Sequence, residues 1–396
     1  MAYTLFSKTN VSGKNVIVRA DLNLPISQGV ILDDERIHSL KPTIEKLVEY
    51  GAKQIKIISH FGRPIPSTNP ADWDRSQSLK KILLQLEKVL NQGEIIFNPD
   101  CLSDSPEGKI ILCENIRCYP GEEKNDRDFA RSLANNSDVY INEAFSCSHR
   151  AHASIDAITK FLPSFMGVSF SKEIAALEKT LTTPQKPVTA LVGGSKVSTK
   201  LTLLSNLIKN VDNLIIGGAM ANTFLKAQGF DVGKSLVEDD LILHAQMILK
   251  QSEAKNCKIY LPVDVKFGSG LTDKYPETRR IENLVGDGSA LDFGPKTIDT
   301  VCQVLRESKT FIWNGPVGAY EYPPYDAASK TIASCAAQLC RSGNLSAIAG
   351  GGDTVAILKM ADCFNDLTYV STAGGAFLEW LEGKALPGVV ALKNTP

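Results

Sequence analysis

Eleven short runs of β-branched and aliphatic residues recur along this 396-residue chain, each closed by a polar or glycine-rich turn and most followed by an amphipathic stretch. Runs apolar on consecutive positions are buried on both faces, a condition met by parallel sheets covered with helices. The first half supplies NVIVRA (15–20), IKIIS (55–59), KIILC (109–113), DVYIN (138–142) and MGVSF (166–170). The second supplies VTALV (188–192), NLIIG (213–217), KIYLPV (258–263), TFIWN (310–314), SAIAG (346–350) and LTYVS (367–371). Helical patterns separate them, as at 78–91, 200–210 and 352–362. The expected class is therefore α/β. At roughly 150 residues per domain the length predicts two or three domains. SKEIAALEKTL sets Ile174, Leu177 and Leu181 at helical spacing before the breaker TTPQKP, which suits a joint. The expected division is 1–170, an interdomain helix and linker over 171–187, and 188–384.

Charge excludes several partners. Forty-three basic residues against forty-four acidic ones leave a net charge of -1, so no overall field recruits nucleic acid or an anionic membrane. No run approaches the ~20 apolar residues of a membrane span, and the N-terminus lacks an uninterrupted apolar segment, so a cytoplasmic address is expected. Nine cysteines without a C-x-x-C pair read as reduced thiols, and five histidines without H-E-x-x-H give zinc little support.

The charges are unevenly placed. Eight of twelve arginines fall within residues 1–150, whereas twenty-one of twenty-nine glycines lie beyond residue 184. Parallel sheets bind ligands outside the carboxyl ends of their strands. There the first half places Asp21 and Asn23, then His60, Phe61, Gly62 and Arg63, then Glu114, Asn115 and Arg117, and finally EAFSCSHRAH with Arg150; Arg36 follows the first run on a turn. Arginine suits capture of a small polyanion.

In the second half LVGGSKVSTK, IIGGAMANTF, IWNGPVGAYE, IAGGGDT and VSTAGGAF put small residues between strand and helix. Helix N-termini offer free N–H groups, and glycine lets phosphate oxygens reach them. Lys196 and Lys200, four apart, are expected on one helical face toward phosphate. GFDVGKS (229–235) is one residue short of a Walker A loop and is read as a decoy, and G-x-G-x-x-G is absent.

VRADLNLP, SHFGRP, NEAFSCSHRAHAS, GGSKVSTK, GGAMANTFLKAQG, WNGPVGAYE, GGGDT and STAGGAFLEWLEGKALPGV together resemble, in order, the signature segments of phosphoglycerate kinases. The resemblance implies two Rossmann-like domains with parallel sheets flanked by helices, facing across a hinged cleft, with the tail 385–396 returning to the N-terminal domain. It places Asp21, Asn23, Arg36, His60 to Arg63, Arg117 and Arg150 around 3-phosphoglycerate. It places Lys196, Lys200, Ala290, Glu321 and Gly351 to Thr354 (Gly351, Gly352, Asp353, Thr354) around ATP or ADP, with Asp353 toward Mg2+. Four departures accompany it, one being Ser146-Cys147-Ser148 where the family usually has Gly-Thr-Ala. Glu143 stands where the family usually has Asp, Ala290 replaces a usual glycine, and Ala373 replaces the first of three glycines ahead of Gly374 and Gly375.

The implied reaction transfers the ATP γ-phosphoryl group reversibly to the carboxylate of 3-phosphoglycerate, giving 1,3-bisphosphoglycerate and ADP. A carboxylate nucleophile with a pKa near ~3.5–4 is ionised at neutral pH and needs no general base, consistent with the absence of an H-R-D loop. Arg36, Lys200 and the helix start at Gly374–Gly375 are the expected catalytic groups. A monomer is expected. The rival readings are a catalytically silent nucleotide-binding protein on the same fold and, further off, an NAD-linked dehydrogenase.

Overall fold

A computed structural model of the chain describes residues 4–181 and 183–393, and divides it into two units: Met1–Ile174 with Ala385–Pro396, and Ala175–Lys384. Thr182 of the expected linker and residues 394–396 of the expected tail lie outside the described residues.

The first unit contains β1 (Asn15–Arg19), a hairpin of β2 (Ile26–Ser27) and β3 (Val30–Ile31), β4 (Gln54–Ile58), β5 (Ile95–Asn98), β6 (Ile110–Cys113), β7 (Val139–Asn142) and β8 (Ser164–Met166). Apart from the hairpin these form one parallel sheet in the order β5-β6-β4-β1-β7-β8. Its helices are α1 (Lys8–Val11), α2 (Glu35–Glu49), α3 (Leu83–Leu90) and α4 (Arg127–Ala134). On α2, Ile37, Leu40, Ile44 and Leu47 fall at helical spacing and bury against Val16, Val18 and Ile55 of the sheet. Asp126 caps α4, its Oδ1 accepting from the Phe129 amide at 2.8 Å.

Helix α5 (Val168–Leu181) carries the division between the units. Its first turn is tied into the first unit: the Val168 amide donates to Thr43 Oγ1 at 2.7 Å and the Ser169 amide to Glu143 Oε1 at 2.7 Å. The sequence reading of 166–170 as a strand is therefore corrected. The strand ends at Met166, because a threonine hydroxyl and a buried carboxylate take the next free amides and start a helix there.

The second unit comprises β9 (Val188–Val192), β10 (Asn213–Ile216), β11 (Lys258–Tyr260), β12 (Asp264–Gly268), β13 (Glu277–Arg280), β14 (Ser289–Phe293), β15 (Thr310–Asn314), β16 (Ser346–Gly350) and β17 (Tyr369–Ser371). Six of them make a parallel sheet in the order β11-β10-β9-β15-β16-β17, the doubly wound order of dinucleotide folds. β12, β13 and β14 form a separate antiparallel sheet, order β13-β12-β14. The helices are α6 (Leu201–Leu207), α7 (Met220–Ala227), α8 (Ile242–Ala254), α9 (Pro295–Glu307), α10 (Ala327–Arg341), α11 (Gly352–Met360) and α12 (Gly374–Leu381). Asp264 starts α9 by accepting the Lys296 and Thr297 amides at 3.1 and 2.8 Å. Finally α13 (Pro387–Lys393) belongs to the first unit, where the Gly388 amide donates to the Ser148 carbonyl at 2.9 Å.

Candidate active site

Each parallel sheet reverses its strand order at one place, and loops diverging there leave a crevice. In the first unit the reversal lies between β1 and β7. The loop after β1 delivers Asp21 and Asn23, and the loop after β7 delivers Ser146, whose hydroxyl donates to Asp21 Oδ2 at 2.5 Å. Arg36, in the first turn of α2, donates through Nη1 to Asp21 Oδ1 and to the Asn23 carbonyl, both at 2.9 Å. Asn23 Oδ1 in turn accepts the Gly62 amide at 2.8 Å, and Arg117 Nη1 donates to the Gly62 carbonyl at 2.8 Å. Gly62 bends there with φ +60, a left-handed conformation that favours glycine.

Residues from four strand ends thus form one hydrogen-bonded rim. Phe61 is held by its backbone to the Asn115 side chain and is itself 9% exposed, a packing residue. Arg63 is exposed and makes no hydrogen bond or ion pair among the described residues. Arg150 is also exposed; its Nε donates to His149 Nε2 at 3.2 Å, and its charge reaches Arg117 and His152.

Beneath the rim lies a residue the sequence reading passed over. Arg19, the last residue of β1, is 1% exposed. It donates to Ser154 Oγ at 2.9 Å, to the Ala20 carbonyl at 2.5 Å and to His60 Nδ1 at 3.3 Å, while Ser154 Oγ donates to Glu122 Oε1 at 2.6 Å. Burial opposes its charge, but Cys147, Glu122 and Asp21 more than offset that and raise its pKa. Burial, then Arg19, Arg117 and Arg36, hold the His60 imidazole well below its usual range despite the opposing pull of Asp21. Burial raises the Asp21 carboxyl, yet Arg36, His60, Ser146 and Arg19 together keep it below the ordinary value. Asp21, His60 and Cys147 approach within metal-ligand range of one another. The Arg19 guanidinium, 3.7 Å from Cys147 Sγ, already supplies the positive charge there, so the trio does not fit a cation.

The sheet of the second unit reverses between β9 and β15. The glycine turns meet here: the Gly193 amide donates to the Asn314 carbonyl at 2.9 Å, and the Gly218 amide to the Val317 carbonyl at 3.0 Å. A Cβ on Gly193 would run into the Pro316 carbonyl. A Cβ on Gly218, φ +70, would lie 2.5 Å from the Gly194 carbonyl oxygen. These close approaches open a cavity of about 540 Å³ lined by Gly194, Gly218, Ala290, Val317, Glu321 and Asp353, among others. Ala290 reaches its wall from β14, where its amide donates to Ser235 Oγ at 2.9 Å.

Lys200 donates to Asn314 Oδ1, and Asn314 Nδ2 donates to the Gly350 carbonyl at 2.8 Å. Burial lowers the Lys200 ammonium, with Asp353 and Glu382 pulling the other way. Asp353, exposed in the first turn of α11, accepts from the Tyr320 hydroxyl at 3.2 Å. Beside it Gly351 holds φ +100, Gly352 is exposed, and buried Thr354 accepts the Gly315 amide at 2.8 Å. Gly374, φ +30, and Gly375 open α12, where Ala373 takes the cap position with φ -87, a conformation open to any residue.

One expectation fails. Lys196 and Lys200 do not share a helical face, because α6 begins only at Leu201 and 198–200 form a turn. Glu238 explains it: its carboxylate accepts the Val197 and Ser198 amides and the Ser198 hydroxyl, anchoring a loop in place of a helical turn. Lys196 is exposed and its charge faces Glu238. The decoy reading of 229–235 agrees with an irregular loop there, although Lys234 lines the cavity and pairs with Asp287 at 2.9 Å.

An arginine-lined anion rim on one parallel sheet and a glycine-turn cavity with a lysine on another define an α/β phosphotransferase. The phosphoglycerate kinase family model matches residues 6–384. The phosphoglycerate kinase of Sinorhizobium medicae is 48% identical over 403 aligned positions, covering 99% of this chain and 98% of that protein. That of Ruegeria sp. is 46% identical over 406 positions, with 100% of each covered. The solved structure of phosphoglycerate kinase from Coxiella burnetii superposes with a TM-score of 0.91 at 38% identity over 99% of both chains. The enzyme from Pyrococcus horikoshii gives 0.78 at 26% identity over 97% of both. The chain belongs to the phosphoglycerate kinase family, and its activity is the glycolytic phosphoryl transfer of that family. The silent nucleotide-binding reading is not favoured.

Proposed function

We propose that the first unit holds 3-phosphoglycerate and the second holds ATP or ADP, with transfer between the acceptor carboxylate and the γ-phosphoryl group. The observation that carries this assignment is the segregation of the two chemistries: arginines converge on Asp21, Asn23 and Gly62, whereas the cavity with Glu321 and Asp353 on its wall is built from glycine turns. Arg36, Arg63, Arg117 and Arg150 neutralise the acceptor's phosphate and carboxylate. His60, kept neutral, offers its Nε2 proton as a hydrogen bond. Glu321 faces the ribose, Ala290 the base, and Lys196, Lys200 and the 351–354 turn the phosphates.

Asp353 fits Mg2+. It is an exposed carboxylate on the cavity wall, matching the preference of that ion for one or two protein oxygens completed by phosphates and water. When bound there the ion supplies charge neutralisation to the phosphate oxygens.

Because the acceptor is already an anion, the protein's contribution is in-line positioning and stabilisation of charge on the phosphoryl group in flight. Arg36 and Lys200 supply the positive charge, and the amides at Gly374 and Gly375 supply donors at a helix start. Carried on separate units, the substrates must be brought together by closure about 171–187, which excludes water from the transferring group. We place the functional domains at 1–170 and 188–384, with the tail 385–396 on the first. Nine free thiols are in keeping with a reducing, cytoplasmic setting. A monomer suffices, since each cluster is complete within one chain. Among the described residues no helix is long and apolar enough to cross a membrane. Small-angle scattering with and without both substrates tests closure: the radius of gyration falls only when both are bound.

A further inference from the structure

Helices α9 and α10 pack against each other, and each carries a cysteine in its third turn at their seam. Cys302 on α9 is 6% exposed, whereas Cys335 on α10 is the more open of the two. Cys335 Sγ lies 4.0 Å from the Cys302 carbonyl oxygen across this seam, and the two thiols perturb each other. Arg306, one turn beyond Cys302, faces both sulfurs; Asp299, one turn before, faces Cys302.

The pair is asymmetric. The neighbouring Cys302 thiol brings the Cys335 thiol down to about 7 against the effect of burial, with Arg306 assisting. The same neighbour interaction, together with burial, pushes Cys302 far up. A thiol near ambient pH is close to the optimum for attack on a disulfide, because lower values cost nucleophilicity and higher ones cost thiolate. Its neighbour keeps its proton until the first step is done.

We propose that Cys335 and Cys302 form an oxidisable dithiol that reacts with low-molecular-weight disulfides and closes into an intramolecular disulfide joining α10 to α9. In the first step the Cys335 thiolate attacks one sulfur of glutathione disulfide, forming a mixed disulfide and expelling one glutathione thiolate. Capping Cys335 removes the neighbouring thiolate whose negative charge held the Cys302 proton. Cys302 then loses that proton to water and attacks Cys335 Sγ, and the second glutathione thiolate leaves. Two protein thiols are oxidised and one glutathione disulfide is reduced to two thiols. The chain between the cysteines carries Asn314 and the Val317–Glu321 wall of the nucleotide cavity, so the bond staples both ends of that segment.

The molecule contains its own control. Cys101 and Cys113 also perturb each other, but both are 0% exposed and the Cys101 thiol donates to the Glu114 carbonyl at 2.8 Å. Proximity without access leaves that pair inert. Cys147 is 8% exposed, and burial raises its thiol despite Arg19.

The test uses the full chain at pH 7.5 with excess glutathione disulfide, followed by acid quenching, alkylation and peptide mass mapping. The protein is expected to lose two hydrogens, to keep seven of its nine thiols alkylatable, and to yield a linked peptide pair containing Cys302 and Cys335. Cys302→Ser stops at a glutathione adduct on Cys335, and Cys335→Ser or Cys335→Ala gives neither adduct nor link. A wild-type chain that keeps all nine thiols, a link that maps elsewhere, or equal modification of Cys335→Ser overturns the proposal.

Discussion

The buried guanidinium of Arg19 donates through Nη2 to His60 Nδ1 at 3.3 Å, which fixes the imidazole proton on Nε2. Burial and the surrounding arginines hold that ring neutral. Nitrogen-detected NMR is therefore expected to find His60 as the Nε2–H tautomer without titration from pH 6 to 8. Arg19→Met leaves Glu122 and Ser154 without their buried partner and is expected to destabilise the first unit by about 3–5 kcal/mol, read from urea unfolding.

Asn314 orients Lys200 through its side-chain oxygen. Removing a donor that stabilises developing charge lowers kcat by about 10²–10³, the loss expected for Lys200→Ala. Asn314→Ala leaves the ammonium present but unoriented, so it should lower kcat by roughly 10-fold, within the range for general positioning effects, with little change in KM for 3-phosphoglycerate. Steady-state kinetics with each substrate varied distinguishes the two.

Glu143 couples pH to stability. Burial raises its carboxyl to about 7 from 4.5, against the opposing hydrogen bonds of Ser169, Phe170 and Thr43. The folded chain binds a proton there that the unfolded chain has released, so the contribution of Glu143 to stability is greatest below pH 4.5, falls as pH rises toward 7, and levels off above it. Each pH unit in that window costs up to ~1.4 kcal/mol. Glu143→Gln is expected to flatten this dependence and raise Tm at pH 8 relative to the parent, measured by calorimetry across the range.

The turn glycines at the cavity are required by contact as well as by conformation. Gly218→Ala places a methyl on the Gly194 backbone at φ +70, and Gly193→Ala drives one into the Pro316 carbonyl. Each is expected to cost at least ~1–3 kcal/mol and to weaken ADP binding by 10-fold or more in titration calorimetry. Gly270→Ala, with open space around it, is expected to leave both unchanged.

Consecutive apolar runs made most of both parallel sheets legible, since strands such as VTALV at 188–192 are buried throughout, but the short edge strand β5, half-buried at Ile96 and Phe97, was missed. β13 stayed hidden because Glu277–Arg280 is mostly exposed and carries no apolar run. β8 was misplaced because its run continues into α5, and only the contacts of Thr43 and Glu143 fix where strand becomes helix. The rim residues Asp21, Asn23 and Arg117 could be found because strand ends precede them. Arg19 could not, because a residue inside an apolar run reads as core until Glu122 and Ser154, more than a hundred positions away, are seen beside it. Asn314 was likewise taken as the end of a strand, although the glycine after it was a signal that a turn begins there.

We propose that Arg36 on one unit and Lys200 on the other serve a single phosphoryl transfer. A coupled assay of ADP formation from ATP tests it most directly, comparing the parent chain with Arg36→Ala and Lys200→Ala, both checked for native circular dichroism. ADP release that depends on 3-phosphoglycerate in the parent and falls by about 10²-fold or more in each variant is the expected result. Turnover at the parental rate in either variant would contradict it.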